Sequence, residues 1–164
     1  MRQLGDILID SLEFAREGRR LAGDVPVHSL RRLTDLLVGD DGSLAWVVRG
    51  ECDADHQAFL EIEVVGELQL TCQRCLAALA YRLKIRSLLQ LVPQGAPWPD
   101  DALEDDRVDP IEALENQSLH SLVEDEVLLS LPIAPRHQFC ALPDYDDGSA
   151  AASPFAALAN LKKY

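Results

Sequence analysis

Between residues 60 and 91 apolar and polar side chains alternate along the chain. Leu60, Ile62, Val64, Leu68 and Leu70 are interleaved with Glu61, Glu63, Glu67 and Gln69. After a short interruption Tyr81, Leu83, Ile85, Leu89 and Leu91 are interleaved with Arg82, Lys84, Arg86 and Gln90. A period of two predicts two long, half-buried strands. The intervening residues 71–78 predict a hairpin connection, which puts Cys72 and Cys75 near its tip. Gly66 is a candidate bulge in the first strand. The acids of the first strand and the bases of the second would pair across the hairpin, at about 0.2–1 kcal/mol per contact. Residues 44–51, with Trp46, Val47 and Val48, predict a further strand, and the polar residues 53–56 a loop.

Elsewhere the apolar spacing lengthens to that of helices. Asp10 and Ser11 are N-cap candidates for a short helix reaching Leu21, with Leu12, Ala15 and Leu21 on one face and Gly18 weakening its middle. Arg16, Arg19 and Arg20 would form its solvated side. Residues 24–27 break this pattern, 29–38 predict a second helical stretch, and 39–42 a turn. Leu119, Leu122, Val123, Val127 and Leu131 define a helix over 118–131 that Pro132 stops. Residues 93–110 contain four prolines and an acidic run over 100–106, which predicts a long mobile acidic loop. Residues 111–117 are ambiguous, with an edge strand as one reading. Residues 135–140 read as a turn and 144–152 as a linker. Ser153 and Pro154 are suited to begin a last helix over 153–164, with Phe155, Leu158 and Leu161 on one face. The expected fold is α+β: an antiparallel sheet with a long central hairpin, flanking helices, the acidic loop and a short C-terminal helix. The expected organisation is one domain over 1–143, the linker, and the terminal segment.

A length of 164 residues suits one domain with its own core. No apolar run reaches the roughly 18 residues that a membrane span requires. Residues 1–10 lack the basic and apolar regions of a signal peptide, so a cytoplasmic location is expected. The net charge of −13 is unevenly spread, because residues 93–164 hold four Lys/Arg against fourteen Asp/Glu. Proteins that grip nucleic acid gain affinity from Lys and Arg on phosphates. An acidic C-terminal third suits a basic protein partner, or solubility alone.

Two short turns carry candidate chemistry. Cys72-Gln73-Arg74-Cys75 at a hairpin tip has the form of a zinc knuckle, in which one turn supplies two corners of a tetrahedron. His137-x-x-Cys140 would complete a Cys₃His set for one structural zinc ion, although 61 residues separate the two pairs and neither turn carries the glycine usual in dedicated knuckles. The alternative is that these cysteines are small buried hydrophobes. Cys52 reads as core, and His28, His56 and His120 as surface polar residues. No nucleophile elbow, phosphate-binding loop or dinucleotide fingerprint is present, so neither catalysis nor a small-molecule substrate is expected. Consecutive helical residues point about 100° apart, so Glu124, Asp125 and Glu126 make a poor metal cage. They read as a solvated face, with docking of a basic partner as the functional alternative. Phe155, Leu158 and Leu161 need a surface, either on this protein or on a partner.

Taken in order, three segments resemble the YceD family of ribosomal RNA accumulation proteins. They are 70–75 (Leu-Thr-Cys-Gln-Arg-Cys), 123–132 (Val-Glu-Asp-Glu-Val-Leu-Leu-Ser-Leu-Pro) with the following His137 and Cys140, and 154–162 (Pro-Phe-Ala-Ala-Leu-Ala-Asn-Leu-Lys). The resemblance implies a non-catalytic role in synthesis, processing or stability of 23S rRNA during large-subunit assembly, in the bacterial cytoplasm. It implies no catalytic residue. Some members carry more cysteines after the long helix than the single Cys140 here. Together with the charge, it points to a ribosomal protein or a large-subunit assembly factor as partner. Contact with rRNA would then be indirect, or local at Arg74, Arg82, Lys84 and Arg86. The alternative is a zinc- or thiol-dependent enzyme acting on RNA or redox substrates.

Overall fold

The computed structural model describes residues 7–99 and 108–142. The predicted linker and terminal helix, with Phe155, Leu158 and Leu161, lie outside the described residues, as does the acidic run over 100–106.

The alternating segments form the two longest strands, β4 (Ala58–Thr71) and β5 (Ala78–Val92). They pair antiparallel over their whole length, from Phe59 opposite Gln90 to Thr71 opposite Ala78. On the other side of β4 lies β3 (Ser43–Cys52), followed by β2 (Arg20–Pro26), both antiparallel. On the other side of β5 lies β6 (Val108–Glu112), paired in parallel from Leu88 opposite Val108 to Val92 opposite Glu112. The five-stranded sheet is therefore mixed rather than wholly antiparallel, with order β2-β3-β4-β5-β6. A second, two-residue ladder joins β1 (Leu8–Ile9) to β7 (Gln117–Ser118). The region expected to be a loop up to Pro110 thus ends in a strand. Pro110 is tolerated because β6 is an edge strand, where a missing N–H need not break a ladder.

Helix α1 (Ser11–Arg16) stops well short of Leu21, and Arg19 and Arg20 lie beyond it. Asp10 caps it by accepting from the Glu13 N–H at 2.9 Å. Gly18, at φ +60°, ends it: its N–H donates to Ala15 and that of Arg19 to Phe14, a Schellman closure. The chain then enters β2, whose pairing with β3 overrides the helical spacing of the sequence. Residues 27–36 form two short 3-10 helices, Val27–Ser29 and Arg31–Leu36. Helix α2 (Leu119–Ser130) is capped by Ser118 and lies within a residue of its predicted ends.

All the described helices pack on one face of the sheet. That face presents Leu44, Trp46 and Val48 from β3, Leu60, Ile62, Val64, Leu68 and Leu70 from β4, and Leu83, Ile85, Leu89 and Leu91 from β5, all buried. Phe14 and Ala15 of α1, Leu30 and Leu33, and Leu119, Val123 and Val127 of α2 close the core over them. Gly66 is not a bulge, since the register runs unbroken through Gly66 opposite Leu83. A Cβ there would collide with the side chain of Leu44, so a close approach requires the glycine. Cys52, expected in the core, is exposed where β3 leaves the sheet.

Candidate metal centre

Strand β3 pairs β4 only as far as Val65, and β6 pairs β5 only from Leu88. The upper half of the hairpin therefore projects past the other strands as an arm, with Cys72 and Cys75 at its end. The turn is tight: Cys72 N–H donates to Ala77 at 2.9 Å, and Leu76 N–H donates back to Cys72 at 2.9 Å. Leu76 occupies the left-handed region at φ 62°, the conformation a glycine would take more readily. The sequence lacked the expected knuckle glycine, yet the turn forms with leucine in its place.

After α2 the chain turns at Pro132 and runs across this tip. Gln73 N–H donates to Pro135 at 2.8 Å, and Arg74 Nη1 to the Cys140 carbonyl at 3.2 Å. These contacts bring His137 and Cys140 onto Cys72 and Cys75, so the 61-residue gap in sequence is closed in space. The three Sγ atoms and a His137 ring nitrogen all lie within 4.8 Å of one another, an arrangement that could hold a metal ion. Cys72 and Cys140 Sγ are 3.8 Å apart, and Cys75 Sγ and His137 Nδ1 are 3.4 Å apart. A tetrahedron with Zn–S of about 2.3 Å and Zn–N of about 2.0 Å has S···S edges of about 3.8 Å and S···N edges of about 3.5 Å. The donor set and these two edges fit zinc. All four cysteines of the chain are free thiols, and 3.8 Å is far beyond a disulfide bond of about 2.05 Å.

The surroundings prepare the ligands. His137 Nε2 lies 3.1 Å from the Ala78 carbonyl, which can only accept, so Nε2 carries the proton and the Nδ1 lone pair faces Cys75. Burial would push the Cys72 thiol up, but backbone N–H groups of Cys75, His137 and Arg74 outweigh it and bring it down to about 5. Burial pushes the Cys140 thiol up, and its neighbours Cys72 and Cys75 add to that shift. A first thiolate at Cys72 disfavours a second beside it unless a cation is bound between them.

The other predicted site residues do not form an exposed acidic face. Glu124 and Glu126 are buried, at 6% and 7% exposure. Glu124 turns back to Arg32 on the 3-10 segment, taking its backbone N–H at 2.9 Å and its Nε at 2.7 Å. Asp125 accepts from Arg32 Nη1 at 2.6 Å. Burial pushes the Glu126 carboxyl up; a hydrogen bond with Ser87 offsets part of this, and the Asp109 and Asp125 charges reinforce it. On the opposite face of the sheet Glu61 accepts from Arg49 at 2.7 Å and Arg86 at 2.6 Å. Burial would raise its carboxyl, but these two hydrogen bonds prevail and hold it below the usual range. The expected pairing of strand acids and bases is thus present around Glu61. Of the histidines expected at the surface, His28 and His56 are exposed, whereas His120 is half-buried and lies 3.3 Å from the Ser29 hydroxyl.

A family model described as "Large ribosomal RNA subunit accumulation protein YceD" matches residues 60–162. The chain belongs to the YceD family. The matched stretch includes the hairpin from Leu60 onward, α2 and both pairs of candidate ligands, so the candidate metal centre lies wholly within the matched part. No solved structure matches the chain.

Sequence reasoning missed three supporting groups: Arg32, which anchors Glu124; Arg74, which ties the tip to Cys140; and the Ala78 carbonyl, which orients His137. Each acts across more than fifty residues of chain or through a backbone atom, and no local pattern marks such a role. A cleft of about 760 Å³ at the other end of β5, lined by Asp10, Glu13, Arg16, Gln94 and Glu115 among others, contains no Cys or His. No described helix is long and apolar enough to cross a membrane.

Proposed function

We propose that the protein is a non-catalytic cytoplasmic factor of large-subunit assembly that supports synthesis, processing or stability of 23S rRNA. In this reading one structural zinc ion on Cys72, Cys75, His137 and Cys140 pins the chain after α2 to the hairpin tip. The observation that carries the assembly role is the family match over residues 60–162. The convergence of four soft and borderline ligands at tetrahedral spacing supports the zinc. Four ligands from one chain close the coordination sphere, which is the form of a structural site rather than a catalytic one.

A ribosomal protein or another assembly factor is the partner favoured by the −13 charge. Glu124 and Glu126 are buried and Asp125 is bound by Arg32, so in this reading residues 100–106 and 153–164 are the segments proposed to reach that partner. Affinity recovery of the tagged protein, with ribosomal particles separated by sedimentation, tests the role. The expected result is co-sedimentation with immature large subunits, diminished on deletion of 153–164. Exclusive recovery with an unrelated complex would remove the proposal. Cleavage of precursor rRNA by the purified protein, lost in a folded Cys72→Ser variant, would replace it with an enzymatic one.

A further inference from the structure

The tip with its four candidate ligands and the strand leading from it are chemically unlike the rest of the molecule. Residues 68–92 and 127–142 contain five cations, Arg74, Arg82, Lys84, Arg86 and Arg136, and not one Asp or Glu, in a chain whose net charge is −13. Arg86 is engaged by Glu61 at 2.6 Å, but Arg74, Arg82, Lys84 and Arg136 make no ion pair with a described residue. Leu83 and Ile85 point into the core, so the alternation of β5 places Arg82 and Lys84 together on the uncovered face. The small exposed residues Ala78 and Ala80 separate them from the tip on that same face. At the tip Phe139 is 92% exposed and Leu76 61% exposed, and both are neighbours of metal ligands.

A surface for a basic protein would need carboxylates, and on this face they stop short of the tip: Glu63 lies opposite Arg86 and Glu67 opposite Arg82, and residues 68–80 have none. A second copy of the chain, paired antiparallel through the free edge of β5 about Leu83, would set Arg82 against Lys84 of the other copy. What complements unpaired cations around an exposed aromatic ring is a flexible polyanion with flat apolar groups. A base stacks on the ring while guanidinium and ammonium groups neutralise phosphates. We infer that the tip and the outer face of β5 bind single-stranded RNA, with Phe139 as the stacking platform and Arg74, Arg82, Lys84 and Arg136 on the phosphates. This rests on the reading that a metal ion holds Phe139 in place, and it gives the assembly factor a local contact with RNA beside its protein partner. The acidic remainder of the chain disfavours any wider grip.

Fluorescence anisotropy of the full-length, zinc-loaded protein with a labelled single-stranded RNA of about 12 nucleotides tests the inference. Four phosphate contacts give a salt slope of about −3, so affinity falls about fiftyfold between about 50 and 200 mM salt. Phe139→Ala weakens binding about tenfold with zinc content unchanged. Arg82→Ala with Lys84→Ala cuts the slope by about half. The inference is overturned if zinc-replete protein does not bind at the lower salt, or if Phe139→Ala binds as tightly as the wild type. Competition by poly-glutamate as strong as by RNA of equal charge would also overturn it, in favour of an acidic protein ligand. Sedimentation of the same variants separates the two readings: co-sedimentation with immature subunits, without RNA binding in vitro, leaves the assembly role standing and removes the RNA contact.

Discussion

The two halves of the central hairpin use one strand pattern and are held by different forces. In the lower half, β3 and β6 flank β4 and β5, and Leu60, Ile62, Val64 and Leu89 are buried beneath helices. Each such side chain contributes about 1.5–3 kcal/mol by leaving water, and the load is spread over many residues. In the upper half no further strand flanks them, and β4 is bridged only by Leu37 opposite Leu70 and by the Val38 N–H donating to Gln69 at 2.7 Å. Beyond Leu70 and Leu83 the described apolar residues are partly or largely exposed, from Tyr81 and Leu79 to Leu76, Ile133 and Phe139. The tip is held instead by a few backbone hydrogen bonds and four converging ligands. A region poor in apolar burial keeps one geometry only if directional bonds replace the missing core, and a Cys₃His set provides them.

Removing metal separates the halves most sharply. A chelator should take zinc from about one per chain to none. Hydrogen exchange at the amides of Gln73, Leu76 and His137 should then rise to that of an open loop, while Ile62 and Ile85 amides keep their protection. If both sets lost protection together, the halves would be one cooperative unit and the contrast would fail. The converse is Leu60→Ala, which should lower global stability by about 2–5 kcal/mol in chemical denaturation while zinc content stays at one.

Smaller effects refine the body. Arg32→Ala keeps the backbone N–H on Glu124 but removes the Nε donor and the positive charge beside that buried carboxylate, and should cost about 2–3 kcal/mol. Glu124→Gln in that background should recover part of the loss. The least is expected from Glu126→Gln. Its carboxyl is pushed up by burial in the folded protein, so the folded state binds the proton more tightly than the unfolded chain. Stability therefore falls as pH rises from about 4.3, the unfolded value, through the raised folded value. Glutamine abolishes that fall: Tm should exceed wild type at pH 7 and match it at pH 4. A Tm difference independent of pH would show that Glu126 is not titrating in this way.

The hairpin was legible because apolar and polar residues alternate on both strands, apart from residues 65–66 and 87–88, and α2 because its apolar spacing, Ser118 cap and Pro132 stop agree. The stretch after Arg16 misled, since Leu21 continues a helical spacing while its backbone is claimed by Val48 across the sheet. Glu124 and Glu126 misled for a related reason: three consecutive acids look solvated until Arg32, 92 residues away, is seen beside Glu124. Beta pairing and ion pairing are made between segments, and a local window does not contain the partner.

By itself the sequence determined the strand period, the long helix, the uneven charge, the four ligand residues and the family motifs, all of which are properties of short stretches. Only the tertiary structure decided that Cys72-Gln73-Arg74-Cys75 meets His137 and Cys140, that β6 joins the sheet in parallel, and which acids lie inside. The physical reason is that ligand convergence, strand order and desolvation depend on distances between segments remote in the chain, and those distances exist only once the core has packed.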